Sequence, residues 1–221
     1  MRLYQKPYKR LSQYQGTKTL FILIIIFSIT ALFFSYYEIP EYISLSLYGL
    51  IYKFTYWTFL TSLFVGTDNW LSLFFLVIIL FILYFMARNI ETSQGTKFLV
   101  ILYIISCLFT ALFYVLLRIS LIFFYPLDFA PPLHIGLAWG GILGLLSYSL
   151  FPIMNRKITA FMYFLPIRMN GRSFLLLIIL LRLFPVILFA WYYPYYIVFY
   201  LPELGGILGA YIVYKYQFNL R

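Results

Sequence analysis

The 221-residue chain is 64% apolar and only 10% charged, and its 16 Lys and Arg outweigh 6 Asp and Glu to give a formal charge of +10. A soluble domain of similar length averages about 45–50% apolar and about 25% charged residues, so a water-solvated globular domain is excluded. The single cysteine, Cys107, rules out a disulfide framework and a thiolate metal site within one chain, and reads as a small apolar packing residue.

Residues 1–18 form a basic tail carrying Arg2, Lys6, Lys9, Arg10 and Lys18, which reads as a topology determinant resting on anionic lipid. Bilayer spans need roughly 18 or more predominantly apolar residues. Six runs qualify: 19–37, 70–87, 98–117, 133–154, 173–192 and 198–216. Hydrocarbon offers no water to backbone amides, so each run must close its own hydrogen bonds as a helix. The expected fold is an all-α membrane protein, a bundle of six transmembrane helices over 19–216, with a short tail at 217–221. At the end of the first run, Ser35, Tyr36, Tyr37 and Glu38 make a poor small-residue cleavage site, so the run reads as a retained anchor and not as a removed signal peptide.

With six spans and the N-terminus inside, thirteen of the sixteen basic residues fall on cytoplasmic segments. Lys53 and Arg118 fall outside and Arg182 within a span, whereas Glu38, Glu41, Asp68 and Asp128 all gather outside. This positive-inside bias places both termini in the cytoplasm and accounts for the net charge without a nucleic-acid partner. Residues 42–66 are apolar enough to suggest a seventh span, but counting them as one reverses every later loop and removes the bias. The outer segment 39–69 is therefore expected to be an interfacial loop, with Tyr48, Tyr52, Tyr56 and Trp57 at headgroup depth. In the cytoplasmic segment 155–172, Ile158, Phe161, Met162 and Leu165 recur at helical spacing between Arg156, Lys157 and Arg168, which predicts a short amphipathic helix on the leaflet. The tyrosine-rich residues 192–196 suit the outer aromatic belt.

Two runs carry glycines at close spacing. Gly136, Gly140 and Gly144 repeat every four residues in the fourth, with Gly141 alongside, and Gly205, Gly206 and Gly209 fall in the sixth. Small residues at such spacing let two backbones approach, so the fourth and sixth helices are expected to pack face to face. Arg182 and Glu203 are charges placed within spans, where ionisable residues are functional candidates by default. Their depths differ by only several ångströms at about 1.5 Å per residue, which predicts a buried pair joining the fifth and sixth helices. The alternative is a polar feature facing a cavity.

The order of these features resembles the rhomboid superfamily over about residues 50–210. Residues 57–64 resemble that family's outer loop leading into its second span, although Trp57 is followed by Thr58 and not by the arginine common in the derlin and protease subfamilies. Residues 88–95, with Glu91 and Gly95, are similar to its cytoplasmic turn. Residues 138–145 resemble the segment bearing the catalytic serine, and residues 203–209 the one bearing the catalytic histidine. At those two positions this chain has Trp139 and Glu203. A serine–histidine dyad needs a hydroxyl within reach of an imidazole, and the only histidine, His134, lies about 20 Å along one helix from Ser147. The resemblance thus implies an inactive rhomboid relative, derlin-like or related, that binds transmembrane segments of client proteins. Such a protein would serve membrane-protein quality control, with cytoplasmic extraction machinery as a further partner.

No cofactor or metal is expected. One His and one Cys cannot make three or four ligands, and no Gly-rich phosphate loop precedes a Lys and a Ser or Thr. Two competing readings are a small transporter or lipid-perturbing protein using Arg182 and Glu203, and an intramembrane protease with unconventional residues. The membrane would be the cell membrane in a prokaryote and the ER membrane in a eukaryote.

Overall fold

The computed structural model describes residues 15–37, 39–67, 70–124, 134–162, 165–189 and 196–219. Most of the expected basic tail and of the tyrosine-rich stretch lies outside these residues. In chain order the elements are α1 (Gln15–Tyr36), β1 (Leu45–Ser46), α2 (Leu47–Tyr52), α3 (Thr58–Thr61), α4 (Trp70–Gln94), α5 (Thr96–Phe124), β2 (His134–Ile135), α6 (Ala138–Leu150), β3 (Lys157–Met162), β4 (Leu165–Asn170), α7 (Gly171–Phe189), α8 (Tyr196–Tyr200) and α9 (Leu204–Asn219). Among the described residues, four stretches are helical, long and apolar enough to cross a membrane: α1, α5, α7 and the Ile197–Gln217 stretch that holds α9. They become five when α4, bent by 44° between Ser72–Phe81 and Leu83–Gln94, is taken as one span. Their outward faces are apolar as well. Ile22, Ile26 and Phe33 on α1, Phe74, Phe81 and Phe85 on α4, and Leu112, Leu116 and Phe123 on α5 are all exposed. Helices apolar on every side are solvated by lipid, and the chain is a predominantly helical, membrane-embedded protein.

Helix α6 is shorter than the expected fourth run. Residues 133–154 read as one continuous apolar stretch, yet Leu45 and Ser46 pair antiparallel with Ile135 and His134, and the helix begins only at Ala138. Thirteen helical residues extend about 20 Å, less than the roughly 30 Å hydrocarbon core. The sixth run is also interrupted. Pro202 cannot donate to a helical carbonyl, and it follows α8 in a turn with Glu203 before α9 starts.

Among the described residues of 155–172 the expected amphipathic helix is absent. Those residues form an antiparallel hairpin, β3 with β4, from the Lys157–Asn170 pair to the Met162–Leu165 pair. Pro166 would break a helix there, and the β-branched Ile158, Thr159 and Ile167 favour strands. The backbone amides of Gly171 and Arg172 donate to the carbonyls of Arg156 (3.2 Å) and Met154 (3.0 Å), closing the base of the hairpin.

The outer segment is folded onto the bundle and is more than a surface loop. Leu63 and Val65 are buried, as are the hydroxyl-bearing Thr55, Thr58 and Ser62. Tyr103 of α5 donates to the Leu63 carbonyl at 2.6 Å, and the Gly66 amide donates to Ser28 Oγ of α1 at 2.9 Å. The amides of Leu137 and Ala138 donate to the carbonyls of Ser62 and Val65 at 2.8 and 3.2 Å. At the rim Tyr48, Tyr56 and Trp57 stay exposed, and Trp57 Nε1 donates to the Tyr42 carbonyl at 3.0 Å.

The centre is a three-helix cluster of α5, α6 and α9. A Cβ on Gly206 would fall 1.9 Å from the Gly140 carbonyl oxygen, and one on Gly205 would fall 2.7 Å from the Phe109 carbonyl. The backbones therefore meet with no room for a side chain. Helices α6 and α9 do pack together as their glycines suggested, with Gly206 against the Gly140 backbone, while Gly140 and Gly144 themselves face Thr110 and Ser106 of α5. The remaining glycines turn to other neighbours. Gly141 faces Tyr103 and Cys107, Gly205 and Gly209 face the α5 backbone, and Gly136 faces the Val65 carbonyl.

At the opposite end of the bundle, buried Glu91 of α4 accepts from the amides of Gly16 and Thr17 (3.0 and 2.9 Å), from Thr17 Oγ1 (2.6 Å) and from Thr96 Oγ1 (2.7 Å). One carboxylate thus serves unpaired amides at the start of α1 and ties α4 to the start of α5. Gly95 supplies the intervening turn with φ +95°, a conformation glycine takes without strain. Tyr148 of α6 donates to Gln217 of α9, which donates in turn to Gln94 of α4 at 2.8 Å.

The Gly206→Ala substitution is expected to destabilise the protein by about 1–3 kcal/mol, since its methyl group must displace backbone. Leu208→Ala, at an exposed position two residues further along α9, should change little. Thermal unfolding of both variants in the same detergent checks this, and equal midpoints would remove the close approach.

Candidate functional site

Arg182, Glu203 and Trp139 converge where α7, the α8–α9 turn and the first turn of α6 meet. Arg182 Nη1 lies 3.1 Å from Glu203 Oε2, with side-chain exposures of 21% and 7%. The Arg182 guanidinium also sits 4.1 Å from the centroid of the Trp139 ring. A cation over an indole face is attracted by the ring's quadrupole, so the guanidinium is held on one side by a carboxylate and on the other by an aromatic plane.

Local sequence explains each placement. Trp139 is the second residue of α6 and is half-buried against the core. Glu203 immediately precedes α9, where the unpaired amides of a first turn favour negative charge. Arg182 is eleven residues into α7, one turn before the internal Pro185, whose missing amide leaves the Leu181 carbonyl without its helical donor. The ion pair is close, but it is not aligned as a hydrogen bond, and Glu203 Oε2 has no hydrogen-bond partner among the described residues. Glu203 is 5% exposed, so it does not face an open cavity.

Helix α7 differs from its neighbours. Only 6% of its apolar window is buried inside the protein, against 44% for α5, and Leu176, Leu180, Leu181, Phe184 and Ile187 are exposed. Its neighbours are α8, α6 and the hairpin strands. Among the described residues, the Arg182 cluster is the charged tie between α7 and the rest of the bundle.

The other positions singled out by sequence sit apart from this cluster. Glu91 and Gly95 form the helix-end clamp at the other end of the bundle, and Tyr56 and Trp57 lie on the exposed rim of the outer segment. His134 lies on β2 opposite Ser46, and Ser147 is buried, donating to the Leu143 carbonyl at 2.7 Å. Sequence reasoning missed the α5 residues that receive the glycines: Tyr103, Ser106 and Thr110. Ser106 and Thr110 are small, four apart, and bond back to the carbonyls of Leu102 and Ser106 at 2.9 Å each. A search for small residues, not for glycine alone, would have found them. Compared with known protein families, with curated proteins and with solved structures, the chain matches none.

Single substitutions Arg182→Met or Glu203→Gln should each destabilise the protein, by up to about 3–5 kcal/mol, because each strands one charge or breaks the pair. The double variant should lose less than the sum of the two. A double-mutant cycle on detergent unfolding measures the coupling, and additive losses would show that the two groups do not interact.

Proposed function

We propose that this chain is a rhomboid-like membrane protein without protease chemistry that binds transmembrane segments of other membrane proteins beside α7. The observation that carries this reading is the sparse burial of α7, together with its charged tie through Arg182. A helix so little embedded in its own bundle is the wall that a client helix can most readily pack against or displace. Six crossings with both termini in the cytoplasm follow from the charge bias. In support, Lys18, Arg88, Lys97, Arg156, Lys157, Arg168, Arg172 and Lys215 fall near helix ends or in the hairpin on one side of the bundle, the side where Glu91 meets α1 and Gln94 meets Gln217.

The non-enzymatic part of the reading rests on Trp139 and Glu203. At the positions where the resemblance expects a nucleophile and a base, one side chain has no nucleophilic oxygen, and the other is engaged by a guanidinium. Acyl transfer by a hydroxyl–imidazole pair has no means to start there. A role in quality control, with extraction machinery recruited from the cytoplasm, is the most economical use of a protein that holds a helix without cutting it.

The test is reconstitution with a panel of single-span membrane proteins, using photo-crosslinkers at Leu181 and Phe184 on α7 and at Phe74 on α4. Adducts should concentrate at the α7 positions, and no cleaved product should accumulate. Cleavage of any substrate, or equal labelling from α4 and α7, would overturn the proposal.

A further inference from the structure

The hairpin that replaces the expected cytoplasmic helix sorts its residues by register in a way the helix would not. Residues directly opposite one another in an antiparallel pair share a face, and faces alternate along each strand. Ile158, Ala160 and Met162 pair with Met169, Ile167 and Leu165, so these register positions put six apolar residues on one face of the paired strands. Lys157 and Thr159 pair with Asn170 and Arg168 and make the base of the other face polar and basic, with Phe161 and Pro166 opposite one another further along it. Arg156, Lys157, Arg168 and Arg172 are exposed, and residues 155–172 contain no acidic side chain.

A two-stranded hairpin is at best marginally stable in water and needs its apolar face covered. The base of this one is fixed by position: α7 starts directly after Asn170 and runs as a membrane-length apolar helix, and the amide bonds from Gly171 and Arg172 hold the two strand ends together. The hairpin thus emerges at the level where a spanning helix leaves the hydrocarbon. We propose that it lies flat on the bilayer as a lipid-binding element, its apolar face in the acyl boundary and its four basic residues among anionic headgroups. The charge selects the partner. Each Lys or Arg near an anionic surface favours association about fivefold, whereas a zwitterionic surface offers no such gain. This proposal does not depend on client binding or on the rhomboid-like reading.

The test is a cysteine scan of the full chain in lipid nanodiscs. Single cysteines replace Ile158, Thr159, Ala160, Ile167, Arg168 and Met169 in turn, each labelled with an environment-sensitive fluorophore, and Cys107 is wholly buried and stays in place. At positions 158, 160, 167 and 169, emission should shift to the blue and be quenched by nitroxide lipids. At positions 159 and 168 it should be quenched by aqueous iodide, giving a period of two. Adding phosphatidylglycerol to phosphatidylcholine should strengthen lipid quenching at 158 and 167, and the gain should shrink in a variant carrying Lys157→Gln and Arg168→Gln, which keeps Arg156 and Arg172. Three results overturn the proposal: uniform iodide quenching, an apolar face shielded from both quenchers as by a second protein, or no response to phosphatidylglycerol. A period of about 3.6 residues would restore the helix and remove the hairpin itself.

Discussion

The structure depends on the contact between Gly140 and Gly206, where the backbones of α6 and α9 meet with no side chain between them. Lipid tails are as apolar as leucine, so burying apolar area does not by itself hold helices together in a bilayer. Close packing and polar ties do. The Gly140–Gly206 contact makes close packing possible at the centre, and Ser106 and Thr110 of α5 complete it by filling the glycine grooves with their own small side chains. Much else leans on this cluster. The outer segment hangs from it through Tyr103 and Leu137, and Tyr148 extends it through Gln217 to α4.

Against that centre, α7 is held by different means. It offers the bundle few buried side chains and leaves most of its leucines outward. Its attachment comes from Arg182, gripped between Glu203 and the Trp139 ring, and from the hairpin leading into it. A guanidinium in hydrocarbon is expensive to leave alone, so the pair acts as a specific clasp: α7 is stable in one place, and any rearrangement must either keep the two charges together or hydrate both. Trp139 and Glu203 stand at the positions where a rhomboid-like reading expects catalytic groups. On that reading a clasp stands in place of chemistry, which is a coherent design for a protein that holds other helices.

Sequence carried the helices well because a bilayer demands long apolar runs, and each of the six runs contains a helix. It carried the Arg182–Glu203 proximity for a related reason, since depth along a span can be counted from its ends. It failed where a choice rests on contacts distant in the chain. His134 and Ile135 continue an apolar run that only their pairing with Leu45 and Ser46 removes from α6. Ile158, Phe161, Met162 and Leu165 fit a helical period, and Pro166 was the local sign against it. The reach of Glu91 to Gly16 and Thr17 spans 74–75 positions and has no local signature. Nor could the glycine pattern say that α5 receives most of it, because the receiving groups are backbone or side chains such as Ser106 and Thr110 that read as ordinary span residues.

The dependence of α7 on its clasp can be measured most directly as a pair of spin-label distances in lipid. One pair joins Leu180 of α7 to Leu112 of α5, and a control pair joins Leu208 of α9 to Leu112, all exposed positions. In the wild-type background both distributions should be narrow, and Glu203→Gln should broaden and displace the α7 distance while leaving the α9 distance unchanged. An α7 distribution indifferent to Glu203→Gln, or an α9 distribution that broadens equally, would show that α7 is not held to a rigid glycine-packed centre by this pair.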